Sequence, residues 1–332
     1  MNPRAYSGRE VQIAMAKEAV PGTLSDPTHN LVLDQRAFKR MIEKQTNRNS
    51  AGIRSGQFSQ HIFREHSGGP LSGYVDADIM GLIGIAAFGK SPVSSGNRPS
   101  RMHTWSGAEE GNALVQPFSI YRKTPNYQDA FKKCRPSKVM LKMMENSYAV
   151  YEMDFMGLKG ESNAVALPSP PSQSSLSFFV PKNIEVKIAE NAAGIAAAAP
   201  IRAKSCTVNY NAKVGGYPGL GDTDYVEIGS FEYDLNIELV LLLNNDVLRQ
   251  LWISDEDRYI QIKMTGNEDL STGGSSAKPV FTLKVPAAKV NVWDETAPNS
   301  EFAEQSLTLS GFYDAGIEST FSAILQNNTE NY

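Results

Sequence analysis

The chain has 332 residues, enough for two domains of ordinary size, of which 41% are hydrophobic and 20% charged. Its formal net charge of −4 excludes the bulk basic field that drives affinity for nucleic acid. Two cysteines, Cys134 and Cys206, make no disulfide framework, the amino end is polar, and the apolar runs fall short of the ~20 residues of a membrane span; the expectation is a protein folded in a reducing cytosol with no membrane stage.

The stretch "VQIAMAKEAVPGTLSDPTHNLVL" from Val11 passes through small residues into an apolar, strand-like run. Residues 36–66 carry Arg36, Lys39, Arg40, Lys44, Arg48, Arg54 and Arg64 and suggest an extended arm or long hairpin. "SGYVDADI" reads as a strand, with Asp76 and Asp78 two apart and therefore on one face. "DIMGLIGIAAF" (78–88) reads as a helix stopped by Gly89, and 89–112 as a loop. "PFSIYRK", "KVMLKMME" and "YAVYEMDF" are strands by alternation and by their β-branched and aromatic residues. "LPSPPSQSS" (167–175) suits a solvated linker.

A second run, "VKIAENAAGIAAAAPIRAKSCTV", starts at Val186; its Ala-rich part (189–200) is read as a loop or arm, and so is 215–224. "FEYDLNIEL" (231–239) alternates throughout, setting Glu232, Asp234 and Glu238 on one face and Phe231, Tyr233, Leu235 and Ile237 on the other. "NNDVLRQLWI" (244–253) reads as a second helix with Asn or Asp capping its first turn. "YIQIKM", "FTLKV", "KVNVW", "SLTLSGFY" and "FSAIL" complete the strands.

The order of elements repeats. Val11 and Val186 both open V-x-I-A, an offset of 186 − 11 = 175 that sets Leu31 opposite Cys206. After each opening come strand, short helix and three strands. The expected organisation is two tandem mixed-β domains, 1–166 and 178–332, joined by a Pro/Ser linker at 167–177. Chain chemistry is sparse. His29, His61, His66 and His103 form no metal-ligand cluster, and His61 and His66, five apart, take opposite faces of a strand. There is no nucleophile elbow or phosphate loop, and "GGYPGLGD" does not sit between a strand and a helix. No catalytic set, metal or cofactor is predicted. The carboxylate faces of Asp76/Asp78 and Glu232/Asp234/Glu238 are either plain solvent-exposed faces or parts of one shared acidic surface.

These residues resemble the tail tube (major tail) proteins of long, non-contractile-tailed bacteriophages. Val11, Ile13, Ala14, Glu18 and Gly22-Thr23 look like the family's opening. "SGYVDADIMGLIGIAAFG" is similar to its strand and short apolar helix between glycines, here Gly73 and Gly89. "YAVYEMDFMGLKG" is similar to its strand ending in an apolar-Gly-x-Lys corner (Met156, Gly157, Lys159), and "SLTLSGFYDAGIESTFSAILQN" looks like its closing pair, with Phe312-Tyr313-Asp314 at the bend. The long 89–112 loop departs from the family pattern, as does the lack of a proline after Gly22-Thr23.

The resemblance implies a mainly β chain of two tail-tube-like β-sandwich domains, each with a short flanking α-helix, giving strands to a shared ring barrel. It implies a structural subunit, not an enzyme, in a virion tail assembled in the host cytoplasm. Partners implied are further copies of the chain, in homotrimeric pseudo-sixfold rings or alternatively hexamers stacked into a tube. The terminator, tape measure and distal tail proteins follow, with genome DNA passing through without specific binding. In that frame Asp76, Asp78, Glu232, Asp234 and Glu238 are candidates for the channel lining, and Arg36, Lys39 and Arg40 for contacts between rings. The alternatives are a related tail subunit (terminator, hub or secretion-type tube) or a carbohydrate-binding or hydrolytic virion β-sandwich using Trp105, Trp252 or Trp293.

Overall fold

The computed structural model of the chain describes residues 7–47, 59–96, 100–106, 116–171, 176–243, 246–270, 277–298, 302–330 and 332. The tip of the 36–66 arm, much of the 89–112 loop, part of the Pro/Ser linker and the first two residues of the second predicted helix lie outside them.

Strands dominate. The first half contains β1 (Gln12–Lys17), β2 (His29–Asn30), β3 (Gln35–Arg36), β4 (Lys39–Asn47), β5 (Ser59–Tyr74), helix α1 (Ile79–Phe88), β6 (Val93–Ser95), β7 (Arg101–Ser106), β8 (Phe118–Lys123), β9 (Gln128–Met144), β10 (Val150–Gly157) and β11 (Glu161–Ser162). The second contains β12 (Phe179–Ala189), β13 (Ala203–Pro218), β14 (Tyr225–Leu242), helix α2 (Val247–Ser254), β15 (Arg258–Gly266), β16 (Val280–Thr296), β17 (Glu304–Phe312) and β18 (Ser322–Asn327).

The pairing gives three layers of purpose. One broad antiparallel sheet runs β3/β4–β5–β10–β9–β13–β14–β17–β16, crossing from the first half to the second where β9 pairs with β13, Ser205 opposite Met144 through Asn211 opposite Lys138. A smaller sheet, β2–β1–β8–β9–β11, backs the first half. A third set, β6–β7–β18–β16–β15–β12, backs the second. The 17-residue strands β9 and β16 are long enough to serve two sheets each, their first parts in the backing sheet and their last parts in the broad one.

Alternation decides which face is buried. Tyr151, Met153 and Phe155 of β10, Val139 and Leu141 of β9, Val208 and Tyr210 of β13, and Leu235, Ile237 and Leu239 of β14 all point into one hydrophobic core that spans both halves. Helix α1 lies within that core. Its sequence IMGLIGIAAF is apolar on every side, which suits a helix covered all round. Gly81 and Gly84 let the rings of Tyr332 and Trp105 come against the helix; a Cβ on Gly81 would overlap the Tyr332 ring. Gly89 ends the helix at φ +70, a left-handed cap that glycine adopts without strain. Burying side chains such as Ile83 and Ile85 contributes about 1.5–3 kcal/mol each. Helix α2 is different: it lies on β16 with Trp252 stacked on Trp293 at 6.1 Å, and none of its residues is fully buried.

Several expectations are corrected. The strand of "SGYVDADI" stops at Tyr74; Asp76 and Asp78 sit in the turn that starts α1 and do not share a strand face. Phe231, on the apolar face of its strand by alternation, is exposed, as is Tyr74 at the end of β5, whereas Ala77 is buried. The 89–112 stretch carries two strands as well as loop, and β7 brings Trp105 to 1% exposure through pairing with β18. The 36–66 stretch is a hairpin, β4 against β5, as one of its two readings held. The Ala-rich 190–200 stretch is a turn with one short 3-10 segment, Gly194–Ala196.

The two halves share their wiring more closely than their residues. Gly157 and Gly311 are 311 − 157 = 154 apart. The same offset relates two bulges: pairing with β10 slips at Ser137 of β9 and pairing with β17 slips at Asn291 of β16, and 291 − 137 = 154. The residues preceding the two helices, Asp78 and Asp246, are 246 − 78 = 168 apart. Leu31 N–H donates to the Ile13 carbonyl as Ile201 N–H donates to the Val186 carbonyl. Ile13 therefore corresponds to Val186, and Leu31 to Ile201 rather than to Cys206. The sequence offset of 175 was thus two residues out at the first strand, where the structural offset is 186 − 13 = 173. A slip of two keeps every side chain on its own face, so the alternation alone does not reveal it.

Candidate functional site

The face of the broad sheet turned away from the core is mostly polar, with Met140, Val150, Val240 and Val292 as apolar exceptions. In one row of opposed residues Ser72, Glu152, Met140, Asn209, Asn236 and Ser310 lie side by side; in the next, Asp154, Lys138, Asn211 and Asp234. Glu238, Thr207 and Lys142 form a third. The side chains are linked within and between the rows. Lys138 Nζ lies 3.0 Å from Glu152 Oε1, Asn209 Nδ2 donates to Glu238 Oε1 at 2.8 Å, and Ser310 Oγ donates to Asn236 Oδ1 at 2.6 Å. Lys213 and Glu232 pair at 2.9 Å, both about 70% exposed, where such a pair contributes little. Partial burial raises the Asp154 carboxyl above its ordinary range. The face is a mosaic of carboxylates, lysines and small amides, with no continuous acidic stripe.

The sequence candidates divide on this surface. Glu232, Asp234 and Glu238 are exposed on the polar face of β14. Asp76 is not on it. It is buried beside α1, where its Oδ1 accepts from the N–H of Asp78 at 2.8 Å and of Ile79 at 3.0 Å. Burial pushes its carboxyl up to about 6. Asp78 is exposed at the helix start, accepting from Thr329 Oγ1 at 2.8 Å. Asp76 therefore answers unpaired N–H groups at the start of α1, both aspartates lie at the positive end of its dipole, and neither belongs with Asp234 and Glu238. Glu152, Asp154, Lys138 and Lys142 are the residues that sequence reasoning missed; "YAVYEMDF" carried the signal, since Tyr151, Met153 and Phe155 inward leave Glu152 and Asp154 outward.

The basic candidates lie on the outer edge of the broad sheet. Arg36 Nη1 donates to the Gly8 carbonyl at 2.7 Å, and Lys39 is exposed. Arg40 pairs with Glu65, which also meets Lys159 at 3.3 Å. The hydrogen bond from Arg40 holds the Glu65 carboxyl below its ordinary range, against its burial. This cluster fastens the β4–β5 hairpin to the turn after β13: Lys159 lies 3.7 Å from Asp224, and Glu65 N–H donates to the Thr223 carbonyl at 2.9 Å.

His103 is fully buried, its ring nitrogens meeting Ser94, Asn327 and the Thr329 carbonyl; it is a packing residue. Among the described residues no group of His, Cys, Asp and Glu is arranged to hold a metal ion, and no helix is long and apolar enough to cross a membrane. The model of a family described as phage tail tube protein matches residues 8–309. The chain belongs to that family. No curated protein matches it. The chain is accordingly a structural subunit of a phage tail tube and a component of the virion tail.

For a tail tube subunit the ends of the broad sheet matter as much as its face. Among the described residues, the last part of β16 pairs on one side only, with β17, and the β3–β4 edge pairs on one side only, with β5. Near the β16 end, exposed apolar side chains gather: Val247, Trp252 and Ile253 of α2, Val292, and Phe302. The tail tube subunit thus ends in one edge bearing Arg36, Lys39 and Arg40 and one edge bearing Asp294 and Glu295.

Proposed function

We propose that the chain is a duplicated tube domain, 1–166 and 178–332 about the Pro/Ser linker, and that three copies close into a ring whose joined sheets line a channel for genome DNA. One observation carries this reading: eight strand positions from both halves form one continuous sheet, apolar on the core side and mostly polar on the other, where Met140, Val150, Val240 and Val292 stand among the charged and amide side chains. Three such sheets give 3 × 8 = 24 strands. At ~4.8 Å between strands and ~40° of tilt a closed barrel of that size is on the order of 45–50 Å across its backbone, wider than a porin and roomy enough for a duplex.

The mosaic wall suits a conduit. A basic wall binds phosphates and gains from counterion release, so cargo sticks. Here Lys138, Lys142 and Lys213 are offset by Glu152, Asp154, Glu232, Asp234 and Glu238, and small amides and hydroxyls fill the gaps. Copies assemble in the host cytoplasm, rings stack, and the tube meets the terminator, tape measure and distal tail proteins at its ends and bore. Electron micrographs of the purified protein test the ring. Top views with a central hole and a mass of three chains per ring are expected; six chains per ring rejects the duplicated-domain reading.

A further inference from the structure

The junction inside the chain offers a worked example of how one half meets the next. There the last part of β9 pairs with β13, Asn209 opposite Met140, and α1 covers the seam from the core side. Each partner has a counterpart at a free edge. β16 repeats β9 at an offset of 154, bulge included, and the β3–β4 edge repeats β13 at 170: Gln35 opposes Ser72 of β5 as Ser205 opposes Val240 of β14, with 205 − 35 = 170 and 240 − 72 = 168. Resting on the ring reading above, we infer that the internal junction is the template for the junction between copies. The last part of β16 of one copy pairs antiparallel with the β3–β4 edge of a second, Asp294 opposite Lys39.

The pairing follows by arithmetic: Met140 + 154 gives Asp294, and Asn209 − 170 gives Lys39. The charges agree with it. Lys39 falls directly opposite Asp294, and opposite charges directly across a ladder stabilise it while like charges oppose it; the same offsets set Glu295 opposite Phe38 and Arg40 opposite Trp293, so Lys39–Asp294 is the charged pair of the seam. Helix α2 then covers the new seam as α1 covers the internal one. Phe88, the last residue of α1, lies 4.4 Å from Phe321 across the internal seam, whereas α2 ends two residues sooner, at Ser254 before the left-handed Asp255, and presents a serine where α1 presents that ring. Of the three basic residues on this edge, Lys39 therefore acts within a ring.

The test is a cysteine pair in the full chain, Lys39→Cys with Asp294→Cys. Directly opposed strand residues have Cα atoms about 4.5–5.5 Å apart, inside the range a disulfide needs. Cys134 and Cys206 are buried, so they do not compete. Oxidised assemblies are expected to give a covalent closed species of three chains, with the shifted pair Met41→Cys and Asp294→Cys giving roughly a tenth of the yield or less. As a second arm, Lys39→Glu or Asp294→Lys alone lowers ring formation roughly ten-fold, and the two together restore it. Tubes that form but cross-link no better in the predicted pair than in the shifted one, or an exchange that restores nothing, overturn the register and leave the ring reading standing. Unmodified protein that forms no ring under any condition removes both.

Discussion

Reversing the charge of the two carboxylates at the middle of β14, Asp234→Lys with Glu238→Lys, tests the channel directly. Both side chains are exposed on the polar face and neither packs in the core, so the fold and the ladders of β13 and β17 are untouched. Each chain gains four units of positive charge, and a ring of three gains 3 × 4 = 12. Lys138 and Lys142 lie on the same face two strands away and lose their nearest acidic counterweights on β14. The wall turns from mosaic to basic at one level of the bore. If the six added lysines of a ring each meet a phosphate, the logarithm of duplex affinity falls with the logarithm of salt at a slope of about −5. That is about a thousand-fold loss of binding between 50 and 200 mM salt.

The assay is DNA release from particles built with the variant, followed by dye at several salt concentrations beside micrographs of the tails. Intact tails, stalled release at low salt and recovery toward the normal rate at high salt are expected. A control reversing Glu185 and Glu190 on β12 and the turn beyond it, in the backing sheet, leaves release unchanged. Normal release by the β14 variant at 50 mM salt, with tails intact, refutes the assignment of this face to the bore.

Three further outcomes follow from the structure. Trp105→Ala empties a site at 1% exposure between β7 and α1 and lowers stability by about 3–5 kcal/mol in chemical denaturation; a loss below about 1 kcal/mol means that β7 does not cover the helix. Trp252→Ala removes a ring 41% exposed in the single chain, and burying that part at the junction is worth about 2 kcal/mol, so ring formation monitored by sedimentation falls well over ten-fold with a far smaller change in monomer melting. Asp76→Asn keeps an oxygen to accept from the start of α1. Because the folded Asp76 carboxyl lies at about 6, above its ordinary 3.8, the native state binds the extra proton, and stability falls as pH rises from about 4 to 6, by about 3 kcal/mol in total; the variant flattens that slope in urea titrations, and an unchanged slope assigns it to other groups.

Much of this fold is legible one strand at a time. "FEYDLNIEL" and "YAVYEMDF" state by alternation which residues go inside, and Gly89 marks the end of α1. What a single strand does not state is its neighbours. The acidic faces seemed continuous because Lys138 and Lys142, which interleave them, come from a strand nearly a hundred residues earlier. β7 escaped notice because "RMHTWS" buries only His103 and Trp105, and its partner β18 lies at the far end of the chain. Asp76 misled for a local reason. An aspartate ahead of a helix and an aspartate on a strand face look alike in sequence, and the hydrogen bonds to Asp78 and Ile79 decide between them.

The two junctions of one ring need different strengths, and the unlike helices supply them. The internal seam is made once, during folding, by a chain already tethered to its partner; nothing is lost by making it fully apolar, and α1 with Phe88, Trp105 and Phe321 is so made. The seam between copies has to stay exposed in the free subunit, where a helix as apolar as α1 would invite aggregation. There Val247 and Trp252 take the places of Ile79 and Gly84 at the same offset of 168, and α2 ends two residues sooner than α1, at Ser254. Two consequences separate the seams by experiment. Because one core spans both halves, the free chain unfolds in a single cooperative transition that salt scarcely moves; two separated transitions would mean that the halves fold independently. Ring formation, resting on exposed charges, weakens as salt shortens the Debye length from about 10 Å at 0.1 M to about 3 Å at 1 M, and assembly indifferent to that range argues that the seam between copies is apolar like the one within.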